Sequence, residues 1–307
     1  MIPRIAVAPG HGSPMKDVVE RVVVWLERPE GDLLRELTRQ VGFDMERALK
    51  RSSNVRFPPN RYAQPLEFLL GYASWMSLCS AGEETDAVAG HSLGEFLAIA
   101  IAQSASWVDS LRLVMRCGIV MDAMNRIRPG AMIALLGFAE AEVSDMCAAI
   151  TADTPGCLDI ANLNQPDQII VSGDRFLVEQ LEERSQGTPG RRGLRLSIVG
   201  AAHCSIYDDR RPMAAVLDTV KISDPKKDLY LSTTPGRTAT AFDVERSIAG
   251  ILSNRVDWVR TLSEAQRDHP SFEALLLYPD RGMANILRRQ ISSQSLSIVG
   301  GGSLRSS

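Results

Sequence analysis

The chain has 307 residues, 45% of them hydrophobic, enough to bury a large core or a core with a satellite domain. Charged residues make up 23% and the formal net charge is -3, a balance that argues against a nucleic-acid binder, whose domain would be basic. No stretch approaches the ~18 consecutive apolar residues of a membrane-crossing helix, so no membrane partner is expected.

The first nine residues are broken by Pro3 and Pro9, too early for a signal peptide. Residues 4–8 read as a short buried strand that runs into the turn-rich Pro9-Gly10-His11-Gly12-Ser13. Helical patterns follow to about residue 80, with a good helix over residues 67–75 and Pro65 near its first turn. A second strand is expected over residues 85–89, then Gly90-His91-Ser92-Leu93-Gly94-Glu95, then a buried helix over residues 96–102. Another helix covers residues 109–124 and stops before Arg128-Pro129-Gly130. Strands over 131–137, 157–162, 168–172 and 194–199 alternate with helices over 139–150 and 176–184. That βαββαβ order predicts a small ferredoxin-like unit inserted in a larger α/β domain. Helices and strands then alternate to about residue 290, and the Gly/Ser-rich stretch 300–307 reads as a mobile tail.

Gly90-x-Ser92-x-Gly94 has the pattern of a nucleophile elbow. A nucleophilic serine must project from a sharp turn, so its neighbours must be small, and the helix that follows offers backbone N–H groups to a developing oxyanion. The plainer alternative is a glycine-rich strand-to-helix turn with an incidental serine. A serine hydroxyl also needs a base, and the chain has four histidines. His91 adjoins the serine and is expected to pack behind the elbow, while His269 lies in a polar stretch and reads as surface. His11 and His203 remain, the latter expected at the end of the strand over 194–199, where open α/β sheets place functional groups. The five cysteines, Cys79, Cys117, Cys147, Cys157 and Cys204, are scattered and form no C-x-x-C pair. They read as free thiols in a reducing cytoplasm. There is no phosphate-cradling loop and no metal-ligand cluster along the sequence, so no metal and no bound cofactor are expected.

Gly90-His91-Ser92-Leu93-Gly94-Glu95 resembles the signature of malonyl-CoA:acyl-carrier-protein transacylases and the related polyketide acyltransferase domains. The motifs Pro9-Gly10-His11-Gly12-Ser13, Gln64-Pro65, Gly130-Ala131-Met132, Ala161-Asn162-x-Asn164-x-Pro166-x-Gln168, Val171-Ser172-Gly173, Ala202-His203-Cys204 and Val256-Asp257-Trp258 are similar to that family's and follow its order. The resemblance implies an α/β-hydrolase-like large domain, residues 1–126 and 199–307, with a ferredoxin-like subdomain over 127–198 and the site in the cleft between them. It implies Ser92 as nucleophile, His203 as base, and the backbone N–H groups of His11 and Leu93 as the oxyanion hole. The family's Gln stands where this chain has His11, a change that a backbone donor tolerates. A family glutamine near the backbone carbonyl that orients the histidine aligns with Ile251, and a backbone acceptor would survive its loss. Cys117, Asn162, Ala202 and Ile251 are the substrate-binding candidates.

The pattern departs from the family at one informative place. Aligned on Leu113-Val114, Gly118 and Met121, the arginine that pairs with a malonyl carboxylate falls on Cys117, and Arg116 comes one residue early. One residue on a helix is about 100° of rotation, so Arg116 should point away from the site. Burying a carboxylate without a charge-assisted partner is costly, and Ala202 leaves room beside the base. The expectation is an acyl group without a free carboxylate, resembling the branch that moves aminoacyl or dipeptidyl groups in macrolactam assembly. The resemblance implies acyl carrier proteins as donor and acceptor, with the acyl group presented on 4'-phosphopantetheine or on coenzyme A. Arg191, Arg192, Arg195, Arg210, Arg211, Lys226, Lys227, Arg288 and Arg289 are candidate docking charges, and a monomer is expected. The alternatives are malonyl-CoA:acyl-carrier-protein transacylase, a proofreading acyl hydrolase in which water replaces the acceptor thiol, and a non-catalytic scaffold that only binds carriers.

Overall fold

A computed structural model describes residues 2–53, 55–187, 189–291 and 296–299. The larger sheet contains β1 (Arg4–Ala8), β2 (Ala87–Gly90), β7 (Asp228–Leu231), β8 (Arg237–Thr238), β10 (Glu273–Leu276) and β11 (Leu296–Ile298). Its order is β11-β10-β1-β2-β7-β8, parallel except for β8. Because successive strand residues face opposite sides, Ala6, Ala8 and Val88 enter one core and Ile5, Val7, Ala87 and Ala89 enter another. Both faces are therefore covered, which is why these strands read as continuous apolar runs. One face packs on α1 (Met15–Leu26), α2 (Glu30–Val41), α4 (Asn60–Ser80), α5 (Gly94–Ile101) and α6 (Trp107–Ile127). The other packs on α11 (Trp258–Asp268) and α12 (Arg281–Gln290).

The smaller sheet is built from β3 (Gly130–Leu136), β4 (Leu158–Gln165), β5 (Gln168–Asp174) and β6 (Arg192–Arg195). With α7 (Glu140–Asp153) and α8 (Arg175–Arg184) it forms the expected βαββαβ unit, a ferredoxin-like arrangement in the order β6-β3-β5-β4. A fifth strand joins it from beyond residue 198: β9 (Val256–Asp257) pairs in parallel with Asn162 and Leu163 of β4. That strand is two residues long, below anything a sequence pattern can signal. The smaller sheet has its own core around Ile133, Leu135, Val171, Leu177 and Leu181.

Three local expectations change. The helix expected over 67–75 begins at Asn60, so Pro65 sits inside α4 instead of at its first turn. The strand expected over 194–199 is β6, Arg192–Arg195, and ends well before His203, which lies in a coil instead of at a strand's end. The strand expected over 85–89 starts at Ala87 and includes Gly90. The tail expected over 300–307 lies outside the described residues.

Candidate active site

Register brings the site together. Ala8 of β1 pairs with Gly90 of β2, and Gly90 pairs with Leu231 of β7. The loops carrying His11, Ser92 and Ser232 therefore leave one edge of the sheet side by side, at the carboxyl ends of its strands. Ser92 adopts φ 52°, a left-handed conformation costly for a residue with a side chain. The flanking glycines are sterically required. A Cβ on Gly90 would lie 2.6 Å from the Glu95 backbone, and one on Gly94 would run into the Ala8 carbonyl oxygen.

Glu95 holds the turn from behind. The Ser92 N–H donates to Ser232 Oγ at 2.9 Å, and that hydroxyl donates to Glu95 Oε1 at 2.8 Å. The same carboxylate accepts the Thr233 N–H at 2.7 Å, the Thr233 hydroxyl at 2.9 Å and the Ser247 hydroxyl at 2.6 Å. Glu95 is 1% exposed; burial raises its carboxyl above the usual range, and the four donors work against that rise. The sequence reading missed this role. The only signal was an acidic residue in the first turn of an otherwise apolar helix.

Ser92 Oγ lies 2.7 Å from His203 Nε2. On the other side of the ring, Nδ1 is 3.0 Å from the Asn254 backbone carbonyl, which fixes Nδ1 as the protonated nitrogen and leaves Nε2 to accept from the serine. The orienting acceptor is thus a backbone carbonyl, three residues beyond Ile251, whose side chain lines the cavity. His203 also has positive φ, 61°, and its N–H donates to the Leu252 carbonyl at 2.6 Å. Burial pushes its pKa down to about 4, because an imidazolium here would lose its water.

The backbone N–H groups of His11 and Leu93 have no acceptor among the described residues. The loop that carries His11 is held by Glu67 of α4, whose carboxylate accepts the Gly12 and Ser13 N–H groups at 3.3 and 3.2 Å. Glu67 also meets His11 Nδ1 at 2.5 Å. Burial disfavours a charged His11, but the charge of Glu67 and its hydrogen bond outweigh this and hold the imidazole above its ordinary pKa. The pair is invisible in sequence because helix and loop are far apart in the chain. His91 does more than pack behind the elbow. Its Nε2 bonds Asn164 Oδ1 of β4 at 2.8 Å, and its ring lies edge-on to Trp258.

These groups line a cavity of about 230 Å³. Cys117, Asn162, Ala202 and Ile251 all face it, together with Phe96, Met121, Met132, Ile170 and Leu196. Cys117 is 4% exposed, and burial lifts its thiol to about 12, so it stays neutral. Arg116 does not line the cavity; it turns toward α9 (Arg211–Leu217) and donates from Nε to the Pro212 carbonyl at 3.0 Å. Exposed Arg281, at the start of α12, stands at the mouth. A neighbouring depression shares Gln168 and Gly282 with the cavity and is lined by Arg191, Arg192 and Arg289. No described helix is long and apolar enough to cross a membrane.

Known proteins are similar to this chain in sequence and in fold. The chain is 29% identical over 260 residues to the polyketide biosynthesis protein ThaF of Burkholderia thailandensis, covering 83% of this chain and 21% of that protein. It is 26% identical over 175 residues to a malonyl CoA-acyl carrier protein transacylase of Staphylococcus aureus, covering 57% of this chain and 56% of that protein. It thus spans about a fifth of the first relative and about half of the second. In fold it is similar to MCAT from Mycobacterium tuberculosis, with a TM-score of 0.83 at 23% identity over 97% of each chain. It is also similar to a malonyl-transacylase solved in complex with its type II PKS acyl-carrier protein, with a TM-score of 0.77 at 19% identity over 97% of this chain and 95% of that one. The family model of the acyl transferase domain matches residues 33–270, a span that contains Ser92, Glu95, Cys117, His203 and Asn254. On that match, which takes in well over half of the sequence, the chain belongs to the acyl transferase domain family.

Proposed function

We propose that this chain is a trans-acting acyltransferase that moves an acyl group between acyl carrier proteins through an ester on Ser92, and that the acyl group has no free carboxylate. The observation that carries the chemistry is the 2.7 Å contact between Ser92 Oγ and His203 Nε2 at the wall of the cavity. His203 Nε2 takes the hydroxyl proton as Oγ attacks the thioester carbon. The oxyanion accepts from the N–H groups of Leu93 and His11. The departing pantetheine thiol leaves with the proton from His203, and a second carrier's thiol reverses the steps. The Asn254 carbonyl keeps the imidazole in the productive tautomer throughout. All of this is done by the chain's own groups, with the 4'-phosphopantetheine arriving on the substrate. Arg192 beside the mouth, flanked by Arg191 and Arg289 in their pairs with Glu142 and Asp167, suits an acidic carrier, and steering of this kind raises association rates more than affinity.

The acyl preference rests on Cys117. A carboxylate reaching Cys117 would meet a neutral, buried thiol, with Arg116 engaged elsewhere and the guanidinium of exposed Arg281 out at the mouth. Aminoacyl or dipeptidyl groups, as in macrolactam assembly, are the acyl class this reading favours. A second reading, malonyl transfer, draws on the names of the relatives. The mass gained by Ser92 after incubation with a panel of acyl-pantetheine donors separates the two. Uncharged or amino-bearing acyl groups should load, and malonyl-CoA should load slowly. In Cys117→Arg, malonyl loading should rise relative to the others by about tenfold or more, the worth of a charge-assisted pair. Rapid malonylation of the unaltered protein would end the non-malonyl reading. A second carrier protein in the assay, labelled when the acyl group is transferred and unlabelled when free acid appears, tells transfer from hydrolysis.

A further inference from the structure

Next to His203 in the chain, and outside the lining of the cavity, Cys204 meets two groups from a distant segment, Cys157 and Asp159. Cys157 Sγ, an Asp159 carboxylate oxygen and Cys204 Sγ all lie within 4.8 Å of one another. Both thiols are buried, at 7% and 1% exposure, while Asp159 reaches the surface and leaves a way in. Cys157 Sγ donates to Asp159 Oδ2 at 3.3 Å and touches Ser205 Oγ at 3.1 Å. We propose that Cys157, Asp159 and Cys204 bind a thiophilic divalent cation of the zinc and cadmium class, and that its binding impairs the Ser92–His203 pair.

The donor set is the first argument. Two thiolates and one carboxylate favour a soft or borderline ion over magnesium or calcium. A tetrahedral ion with bonds of about 2.1–2.3 Å sets its ligand atoms roughly 3.5–3.8 Å apart, so ligands already within 4.8 Å need only a small closing movement. Support around the ligands is the second. Asp159 Oδ2 accepts from the Ser205 N–H at 2.8 Å and the Ser205 hydroxyl at 2.7 Å, while Oδ1 takes no hydrogen bond from a described residue. Oδ2, the oxygen that also accepts from Cys157 Sγ, is thus held beside the thiol by Ser205, the second-shell support that a ligating carboxylate has. Cys157 is pinned too: its N–H donates to Asp174 Oδ2 at 2.7 Å, and its carbonyl accepts the Asp174 N–H at 2.9 Å. The fourth position is left to water or to the Ser205 hydroxyl. Each ion bound displaces the two thiol protons into solvent, so binding strengthens as pH rises.

Position supplies the link to the dyad. Cys204 follows His203 directly, and its thiol donates to the Ala201 carbonyl at 3.3 Å. Swinging Cys204 onto an ion gives up that bond and pulls on the strained backbone of His203, which must hold Nε2 at 2.7 Å from Ser92. The ion would also tie the His203 loop to the first residues of β4. The effect on acyl loading rests on the proposed role of Ser92 and His203; the binding itself does not.

The full chain, kept reduced with a phosphine, is titrated with Zn²⁺ against a chromophoric chelator and with Cd²⁺ for the thiolate charge-transfer band. The expected result is one ion per chain, two protons released per ion, and binding weakened at least about a hundredfold in Cys157→Ala. No binding, or equal binding by Cys157→Ala, would overturn the site. Acyl loading of Ser92 is then followed with and without one equivalent of Zn²⁺. Loading should fall about tenfold with the ion, return on chelation, and stay unaffected by the ion in Cys157→Ala. Equal inhibition of Cys157→Ala would place the ion elsewhere and overturn the coupling. A metal-free protein that never loads an acyl group would refute the proposed function and leave the binding result standing.

Discussion

His203 and His11 face the same cavity and are tuned in opposite directions. Burial lowers the proton affinity of His203 until its pKa is about 4, against the pull of the Asn254 carbonyl, which favours the charged ring. His11 is buried against Glu67 and is held above its ordinary value. Their contributions to stability therefore run against each other. His203 favours the fold fully above its unfolded pKa of about 6.5, and this support is lost as pH falls toward about 4. The His11–Glu67 pair favours the fold fully below about 6.5, and its support is lost as pH rises through the raised value. Melting temperature would blend the two, whereas acyl loading of Ser92 isolates the base. Loading should stay flat from neutral pH downward and drop by half only near pH 4. A half-drop near the ordinary histidine value, measured by quenched-flow and mass spectrometry, would show that the imidazole is not desolvated as described. At this scale the spacing of the glycines marked the Ser92 elbow, and only the family resemblance pointed to His203 and Cys117. The sequence was silent about Glu67 and Glu95, because what matters is the distant donors each one meets.

Among the elements, the turn from β2 into α5 depends on a partner from β7. Ser232 carries a hydrogen bond from the Ser92 N–H and hands its own proton to Glu95. Ser232→Ala leaves a buried N–H and one carboxylate lone pair unsatisfied, at a cost of about 1–3 kcal/mol. Chemical denaturation should show that loss, together with slower acyl loading at unchanged carrier affinity, because the elbow loses its brace and the docking face keeps its charges. Unchanged loading would mean that the glycines alone hold Ser92 in place. The elements themselves were largely legible: apolar runs and glycine turns gave β1, the elbow, α5 and the βαββαβ order. Missed boundaries share a cause. Asn60 starts α4 because its N–H and side chain find Asp122 of α6, a tertiary contact that overrides the expected start near Pro65. The segment after Arg195 looks like strand in sequence, but its last bond to β3 is from the Leu196 N–H to the Met132 carbonyl, and His203 further on is held by the Leu252 carbonyl instead.

Across the whole molecule, the two sheets are joined where the site lies. β9 extends the smaller sheet from a segment that also carries Asn254, whose carbonyl orients His203. On the same side, Gln290 Nε2 donates to the Asn164 carbonyl at 3.0 Å, and Arg289 donates to Gln165 Oε1 at 2.7 Å and Asp167 at 2.8 Å. The smaller sheet should therefore not open on its own. In hydrogen exchange, the amides of β4 near Asn162 and Leu163 should be protected as long as those of β1 and β2. Early exchange of β4 with the larger sheet still protected would separate the two units. The smaller βαββαβ unit could be read from the order of elements, but the staple could not, since a two-residue strand has no periodicity.

Ser92 and His203 are two of three side-chain-bearing residues described with left-handed backbone, at φ 52° and 61°. The chain thus spends conformational energy at the two residues on which the proposed chemistry rests, and the rest of the fold must supply it. Glycine carries no such penalty, so Ser92→Gly should melt higher than Ser92→Ala, by about 1 kcal/mol of unfolding free energy. The protein is expected to be more stable with no side chain at the position of its proposed nucleophile than with the smallest one.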